Sequence, residues 1–162
     1  MMPNEPNDEK LEQRAKNVLL FQLSRSMKTR HQLATILKKR EIPDDIANAV
    51  LDRFTEAQLI DDAAFARAFV NSRIAVSGKS KSVIARELKQ KGVSAQDAEQ
   101  ALSSIDAELE DKTAYNVAKK RYQQLSTLEP EVRRRRLMGF LMRRGFSSQL
   151  TARILRDLEH SE

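Results

Sequence analysis

The sequence predicts an all-α fold of three tandem three-helix repeats, stacked into an elongated, curved, right-handed-type solenoid-like rod. Three observations predict it. The 162 residues include only 4 Gly and 4 Pro, so long stretches of helix-favouring residues run uninterrupted. No segment shows the alternation of apolar and polar residues that is typical of a strand. One apolar pattern also recurs along the chain at a nearly constant spacing, which indicates a repeat protein.

The recurring pattern covers the last two helices of each repeat. Its second copy lies 51 residues after the first, and its third copy lies 53 residues after the second. The eighteen aligned apolar positions are Leu33, Leu37, Ile42, Val50, Leu51 and Phe54, then Ile84, Leu88, Val93, Ala101, Leu102 and Ile105, then Leu137, Leu141, Phe146, Ile154, Leu155 and Leu158. Each copy predicts two helices joined by a tight turn. Ile42, Val93 and Phe146 lie in these turns, and we expect their side chains to pack into the core.

A further helix precedes each pair. Its apolar face in the first repeat, from Ala15 to Leu23, returns after 51 residues and again after 48. The change of spacing from 48 to 53 places a five-residue insertion around residues 123–130. We therefore predict a disordered tail over residues 1–10 and repeats over residues 11–60, 61–110 and 111–160.

The turns carry C-terminal capping signals. Gly92 and Gly145 each follow a basic residue at a helix end, where glycine provides the left-handed cap. Glu41 stands at the same place in the first repeat, which predicts a weaker or differently shaped cap there.

Proline or polar residues mark the helix starts. Pro43, Ser94 and Ser147 open the last helix of each repeat, and Thr29 with Gln32 resembles a capping box. Asp61 and Asp62 are also predicted to cap a helix, since adjacent helical residues point about 100° apart and do not converge on one substrate atom.

The chain offers little catalytic chemistry. It has no cysteine and only two histidines, which argues against thiolate or histidine metal sites. Gly78, Lys79 and Ser80 resemble the end of a phosphate-binding loop but lack its first glycine and its preceding strand. We predict no enzymatic activity, no cofactor and no metal. With no apolar run long enough to cross a bilayer and a polar, acidic N-terminus, we expect a cytoplasmic protein.

Positive charge is concentrated near the C-terminus. Residues 112–162 carry 12 basic and 5 acidic side chains, against a net charge of +6 for the whole chain. Such a basic end suits nucleic acid or an acidic protein groove, although a solvated surface is the plain alternative. The binding candidates are Arg73, Lys79, Lys81, Arg86, Lys89 and Lys91 in the middle repeat, and Arg133, Arg134, Arg135, Arg136, Arg143 and Arg144 in the third. With Lys28, Arg30, Lys38, Lys39 and Arg40, they would form one basic track if the repeats stack regularly.

The middle repeat carries the residues of a family signature. It reads Leu59-Ile60-Asp61-Asp62, Phe65-Ala66, Val70, Arg73, Gly78, Ile84, Glu87-Leu88 and Lys91-Gly92-Val93. In these residues the chain resembles the RecX family, regulators of the RecA recombinase, and weaker matches extend the resemblance to about residues 11–159. The family's Gly-x-Gly-Pro loop differs here, where Gly78-Lys79-Ser80-Lys81 stands in its place, and Gln32 replaces a common Glu.

The resemblance implies a protein without enzymatic activity that binds the groove of the RecA filament on single-stranded DNA. Because no heptad seam is sustained along the helices, we expect a monomer. The resemblance also implies inhibition of RecA's ATP hydrolysis, strand exchange and co-protease activity, and hence modulation of recombination, DNA repair and the SOS response. Some family members also bind DNA directly. The sequence leaves open whether filaments are capped or coated. The alternative is a nonspecific DNA-binding helical repeat protein that acts without RecA.

Overall fold

A computed structural model of the chain describes residues 6–161, and this part contains α-helices, one π-helical segment and no strand. The α-helices span Pro6–Arg25 (α1), Arg30–Lys39 (α2), Asp44–Glu56 (α3), Asp62–Ser72 (α4), Lys81–Gln90 (α5), Ala95–Leu102 (α6), Ala107–Gln124 (α7), Pro130–Arg143 (α8) and Ser148–His160 (α9), and the π-helical segment spans Arg73–Ser77. The first repeat comprises α1, α2 and α3, the middle repeat α4, α5 and α6, and the third α7, α8 and α9. The predicted all-α fold of three three-helix repeats is confirmed.

The described chain forms two compact units, whose boundaries pass through α4, α5 and α6. Among the described residues, the first unit comprises residues 6–66 and 88–97, and the second comprises residues 67–87 and 98–161. Each has its own buried core. The first is built around Leu19, Leu33 and Leu51, and the second around Ala118, Leu137 and Leu155.

All eighteen aligned apolar positions are buried, none with more than 8% of its surface exposed. Burial of leucine-sized side chains at about 1.5–3 kcal/mol each is the main favourable contribution to folding. The periodicity of the sequence therefore identifies the core of each repeat correctly.

The three turns share one hydrogen-bonding pattern. The amides of Ile42, Val93 and Phe146 donate to carbonyls five residues earlier, at 3.1, 3.1 and 3.2 Å. Each preceding residue has a positive φ: 61° at Glu41, 84° at Gly92 and 91° at Gly145. All three are Schellman caps. The first cap is therefore not differently shaped, because Glu41 adopts the left-handed conformation that glycine adopts in the other two.

The predicted helix starts also form. Thr29 and Gln32 make a complete capping box on α2. The hydroxyls of Ser94 and Ser147 accept the amides of Asp97 and Leu150, at 3.2 and 3.1 Å.

The adjacent residues Asp61 and Asp62 cap two different helices. The Asp61 carboxylate caps its own helix, accepting the amide of Ala64 at 3.0 Å. The Asp62 carboxylate instead accepts the first amide of α2, that of Arg30, at 2.9 Å. Asp62 therefore joins the start of the middle repeat to the first repeat.

Two of the predicted boundaries require correction. Residues 6–10 are helical rather than a disordered tail, since α1 begins at Pro6 with Asp8 and Glu9 in its first turn, where negative charge stabilises a helix. Residues 1–5 lie outside the described part. The boundary predicted between residues 110 and 111 falls inside α7, because Asp106 caps that helix by accepting the amide of Leu109 at 2.8 Å.

Candidate partner-binding surface

The first arginine of the α8 run points inward. Arg133 lies one turn before Leu137 on the buried face of α8 and is only 8% exposed. Its Nε and Nη2 donate to the carbonyl of Tyr122 at 3.1 and 2.7 Å, and its guanidinium covers the Tyr122 ring. Arg133, one of the binding candidates of the sequence, is therefore buried in the third repeat, and its guanidinium is engaged by Tyr122.

Arg134 is exposed but paired. Its Nε and Nη2 donate to the two carboxylate oxygens of Glu159 at 2.9 and 3.0 Å. This hydrogen bonding and the negative charge of Glu159 raise the pKa of the Arg134 guanidinium above its usual value. Much of its charge is thus compensated within the protein.

Three arginines of the third repeat are available to a partner. Arg135, Arg136 and Arg143 are exposed, and over residues 6–161 none of them forms an ion pair. The Arg144 guanidinium, by contrast, donates to the carbonyl of Ser77 and lies 4.7 Å from the centroid of the Phe140 ring. Arg144 therefore holds the π-helical segment in place.

A single carboxylate compensates two of the middle-repeat cations. The Glu87 carboxylate forms ion pairs with the Arg73 guanidinium at 2.9 Å and with the Lys79 ammonium at 3.1 Å. The Arg73 guanidinium also lies 4.9 Å from the centroid of the Phe69 ring. Arg73 is therefore part of the packing around the π-helical segment, and Lys79 keeps a third of its side chain exposed.

The remaining middle-repeat candidates are spread over both units. The Lys81 ammonium donates to the carbonyl of Ile105 at 3.3 Å, and Arg86 is exposed. Lys89 and Lys91 belong to the first unit. Lys89 is exposed, whereas Lys91 is half-buried and its carbonyl accepts the hydroxyl of Thr29.

The structure adds a surface that the sequence interpretation missed. Val76, in the π-helical segment, is 83% exposed, and single π-helical turns often mark functional sites. Val76 lines two open hollows of about 470 and 550 Å³. The cations that line them are Lys79, Lys112, Lys120, Arg143 and Arg144. We name Val76 and these five cations the Val76 surface.

No acidic side chain of the described chain lines either hollow. An apolar tip surrounded by cations suits a partner that combines negative charge with apolar contact. A signal for two of the cations was present in the sequence. Lys112, Asn116 and Lys120 recur every four residues on one face of α7.

Other kinds of site find no support in residues 6–161. They contain no group of three or more His, Asp or Glu side chains placed to hold a metal ion. No helix within these residues has the length and apolar character needed to cross a membrane.

Comparison with known proteins accounts for all three repeats. The family models for the first, second and third three-helix domains of RecX match residues 15–54, 61–102 and 108–155. The chain is 42% identical over 149 residues to the regulatory protein RecX of Thermobifida fusca, covering 92% of this chain and 80% of that one. It is 40% identical over 158 residues to the regulatory protein RecX of Streptomyces coelicolor, and the match covers 98% of this chain and 84% of that one.

Solved structures agree in fold. The crystal structure of RecX from Lactobacillus salivarius matches with a TM-score of 0.80 at 23% identity, over 93% of this chain and 98% of that one. A crystal structure of a regulatory protein RecX matches with a TM-score of 0.80 at 27% identity, over 89% of this chain and 72% of that one. The chain belongs to the RecX family of regulatory proteins.

Proposed function

We propose that this protein is a negative regulator of RecA that binds the groove of the RecA filament on single-stranded DNA. In this proposal it inhibits ATP hydrolysis, strand exchange and co-protease activity, and so modulates recombination, DNA repair and the SOS response. The observation that carries the proposal is that all three RecX domains are matched in order along the chain. The protein would act by binding alone, as a cytoplasmic monomer without a cofactor.

The charge distribution supports this role. The hollows of the Val76 surface are lined by cations and, among the described residues, by no acidic side chain. Arg135 and Arg136 are exposed elsewhere on the third repeat. A nucleoprotein filament presents repeated acidic groups and phosphates. Several weak contacts to such a repeating target combine through effective concentration, which suits a protein made of repeats.

The same surface leaves direct DNA binding as the second candidate. Cations that contact phosphates release counterions, so the affinity for single strands falls with salt with a slope of about −0.7 per contact. A protein that acts through DNA alone would show this dependence in the absence of RecA.

The proposal is tested by titrating the protein into preformed RecA filaments and measuring DNA-dependent ATP hydrolysis. Inhibition far below the RecA concentration would indicate capping or destabilisation of filaments, whereas inhibition only near stoichiometry would indicate coating of the groove. Unchanged hydrolysis at saturation, together with binding to naked DNA, would reject the proposal in favour of the second candidate.

Charge reversal identifies the surface involved. Arg143→Glu removes a cation of the Val76 surface, and Arg67→Glu makes the same change at an exposed position on α4, outside that surface. We expect inhibition by Arg143→Glu to need about tenfold more protein, equivalent to about 1.4 kcal/mol, and Arg67→Glu to behave as the wild type. Equal effects of the two substitutions would show that only net charge matters.

A further inference from the structure

A separate open groove lies in the first unit, along α1. It has a volume of about 580 Å³. Its lining residues are Lys10, Gln13, Arg14, Asn17, Val18, Phe21 and Arg40. Six of these belong to one stripe of α1, and Arg40 comes from the end of α2.

The floor of the groove is apolar and incompletely covered. Phe21 is 56% exposed, although an aromatic ring of this size stabilises a protein mainly when buried. Val18, one turn earlier, is half-buried beside it. The repeat pattern does not require Phe21, because the buried face of α1 is formed by Ala15 and Leu19.

The rim of the groove is positively charged. Lys10, Arg14 and Arg40 line it together with no acidic side chain. Over residues 6–161 none of these three cations forms an ion pair. Their charge is therefore available to a ligand.

The two polar residues between the cations suit a peptide. Gln13 donates its amide to the side-chain oxygen of Asn17 at 3.1 Å. This arrangement leaves the Gln13 side-chain oxygen as an acceptor and the Asn17 amide as a donor, the two groups that pair with a peptide main chain.

We propose that this groove binds an acidic segment of a partner protein, with one large apolar side chain inserted against Phe21 and Val18. Carboxylates of that segment pair with Lys10, Arg14 and Arg40. The stripe from Lys10 to Phe21 is about 17 Å long at 1.5 Å per residue, which about five residues of extended chain span. The proposal does not depend on RecA regulation.

A protein segment fits better than a nucleic acid strand. Nucleic acid strands bind such surfaces by stacking bases on an aromatic face, but the Arg25 guanidinium lies over the Phe21 ring, 5.6 Å from its centroid.

The test is fluorescence anisotropy of the full-length protein with a labelled peptide in which Asp and Glu residues flank one central Phe. We expect saturable binding that weakens at least tenfold when the peptide's Phe is replaced by Ser. Phe21→Ala should weaken it by a similar factor. Leu20→Ala is the matched control, since Leu20 is 52% exposed on the same helix but does not line the groove.

The charge requirement is tested separately. Arg14→Glu should weaken peptide binding at least tenfold, and Lys38→Glu, at an exposed position outside the groove, should change it less than twofold. Far-ultraviolet circular dichroism confirms that each variant is folded. Absence of peptide binding overturns the proposal, as do equal losses for Phe21→Ala and Leu20→Ala. It is also overturned if a labelled single-stranded oligonucleotide, rather than the peptide, loses affinity in Phe21→Ala.

Discussion

The hydroxyl of Thr29 donates a 2.6 Å hydrogen bond to the main-chain carbonyl of Lys91, 62 residues later in the chain. The same hydroxyl accepts the amide of Gln32 at 3.1 Å, so it caps α2 and contacts the turn after α5 at once. The second unit contains a related contact, in which the amide of Ser80, 51 residues after Thr29, donates to the carbonyl of Arg144 at 3.2 Å. The start of one repeat's middle helix is thus bonded to the turn of the next repeat in both units.

Replacing Thr29 by Val should destabilise the protein by about 2 kcal/mol, because the buried hydroxyl makes two hydrogen bonds. Ser94→Ala, which removes an exposed cap with one bond, should cost about 1 kcal/mol. Urea unfolding of both variants measures the difference. Equal losses would mean that the bond to Lys91 adds nothing to the cap.

Glu41→Gly should stabilise the protein by about 0.5–1 kcal/mol, because a residue with a Cβ is strained in the left-handed region. Arg40→Gly is the neighbouring control, since Arg40 has an ordinary φ of −88°. At that position glycine should destabilise the protein, because it increases the conformational entropy of the unfolded chain. The free energies of unfolding of the two variants should therefore shift in opposite directions. A loss of stability in both would show that Glu41 is not strained.

Gly92→Ala should destabilise the protein by more than about 2 kcal/mol. A Cβ added at Gly92 would lie 2.2 Å from the Cβ of His31, which cannot move away, and the φ of +84° is itself unfavourable for alanine. Gly139→Ala, inside α8, would meet only the mobile end of Arg143 and should stabilise by up to about 1 kcal/mol. Thermal unfolding distinguishes the two, and a stable Gly92→Ala variant would contradict the close approach to α2.

Arg133→Ala should destabilise the protein by about 3 kcal/mol, because it removes two hydrogen bonds from a charged group and a contact with the Tyr122 ring. Arg135→Ala, two residues away and exposed, should change stability by less than about 0.5 kcal/mol. Urea unfolding checks both values. If Arg133→Ala unfolded at the same urea concentration as the wild type, the buried hydrogen bonds of Arg133 would contribute nothing to the free energy of unfolding.

Much of the fold follows from the sequence because its signals are local. The helices and the turn of a repeat follow from the spacing of Leu33, Leu37 and Ile42. The same spacing recurs in the middle and third repeats. The glycine or glutamate at the cap lies within five residues of the carbonyls that the turn satisfies. The insertion predicted around residues 123–130 falls where α7 ends at Gln124 and α8 begins at Pro130, and α8 has 14 residues where α2 and α5 have 10 each.

The binding surface was less predictable because the fate of a charged side chain depends on distant partners. Arg133 turns inward because the carbonyl of Tyr122, in the last turn of α7, lies within its reach and accepts its Nε and Nη2 in addition to the amide of the cap residue Leu125. Arg73 and Lys79 share Glu87, although nothing in the run of basic residues indicates this pairing.

By itself, then, the sequence determined the helices, the repeats, the core positions and the family, all of which depend on periodicity and on contacts within a few residues. The tertiary structure alone decided which cations remain exposed, which are paired or buried, and where Val76 and Phe21 meet basic neighbours. These outcomes depend on contacts between residues that are far apart in the chain, such as Asp62 with Arg30 and Arg144 with Ser77, and the periodicity of a helix carries no information about them.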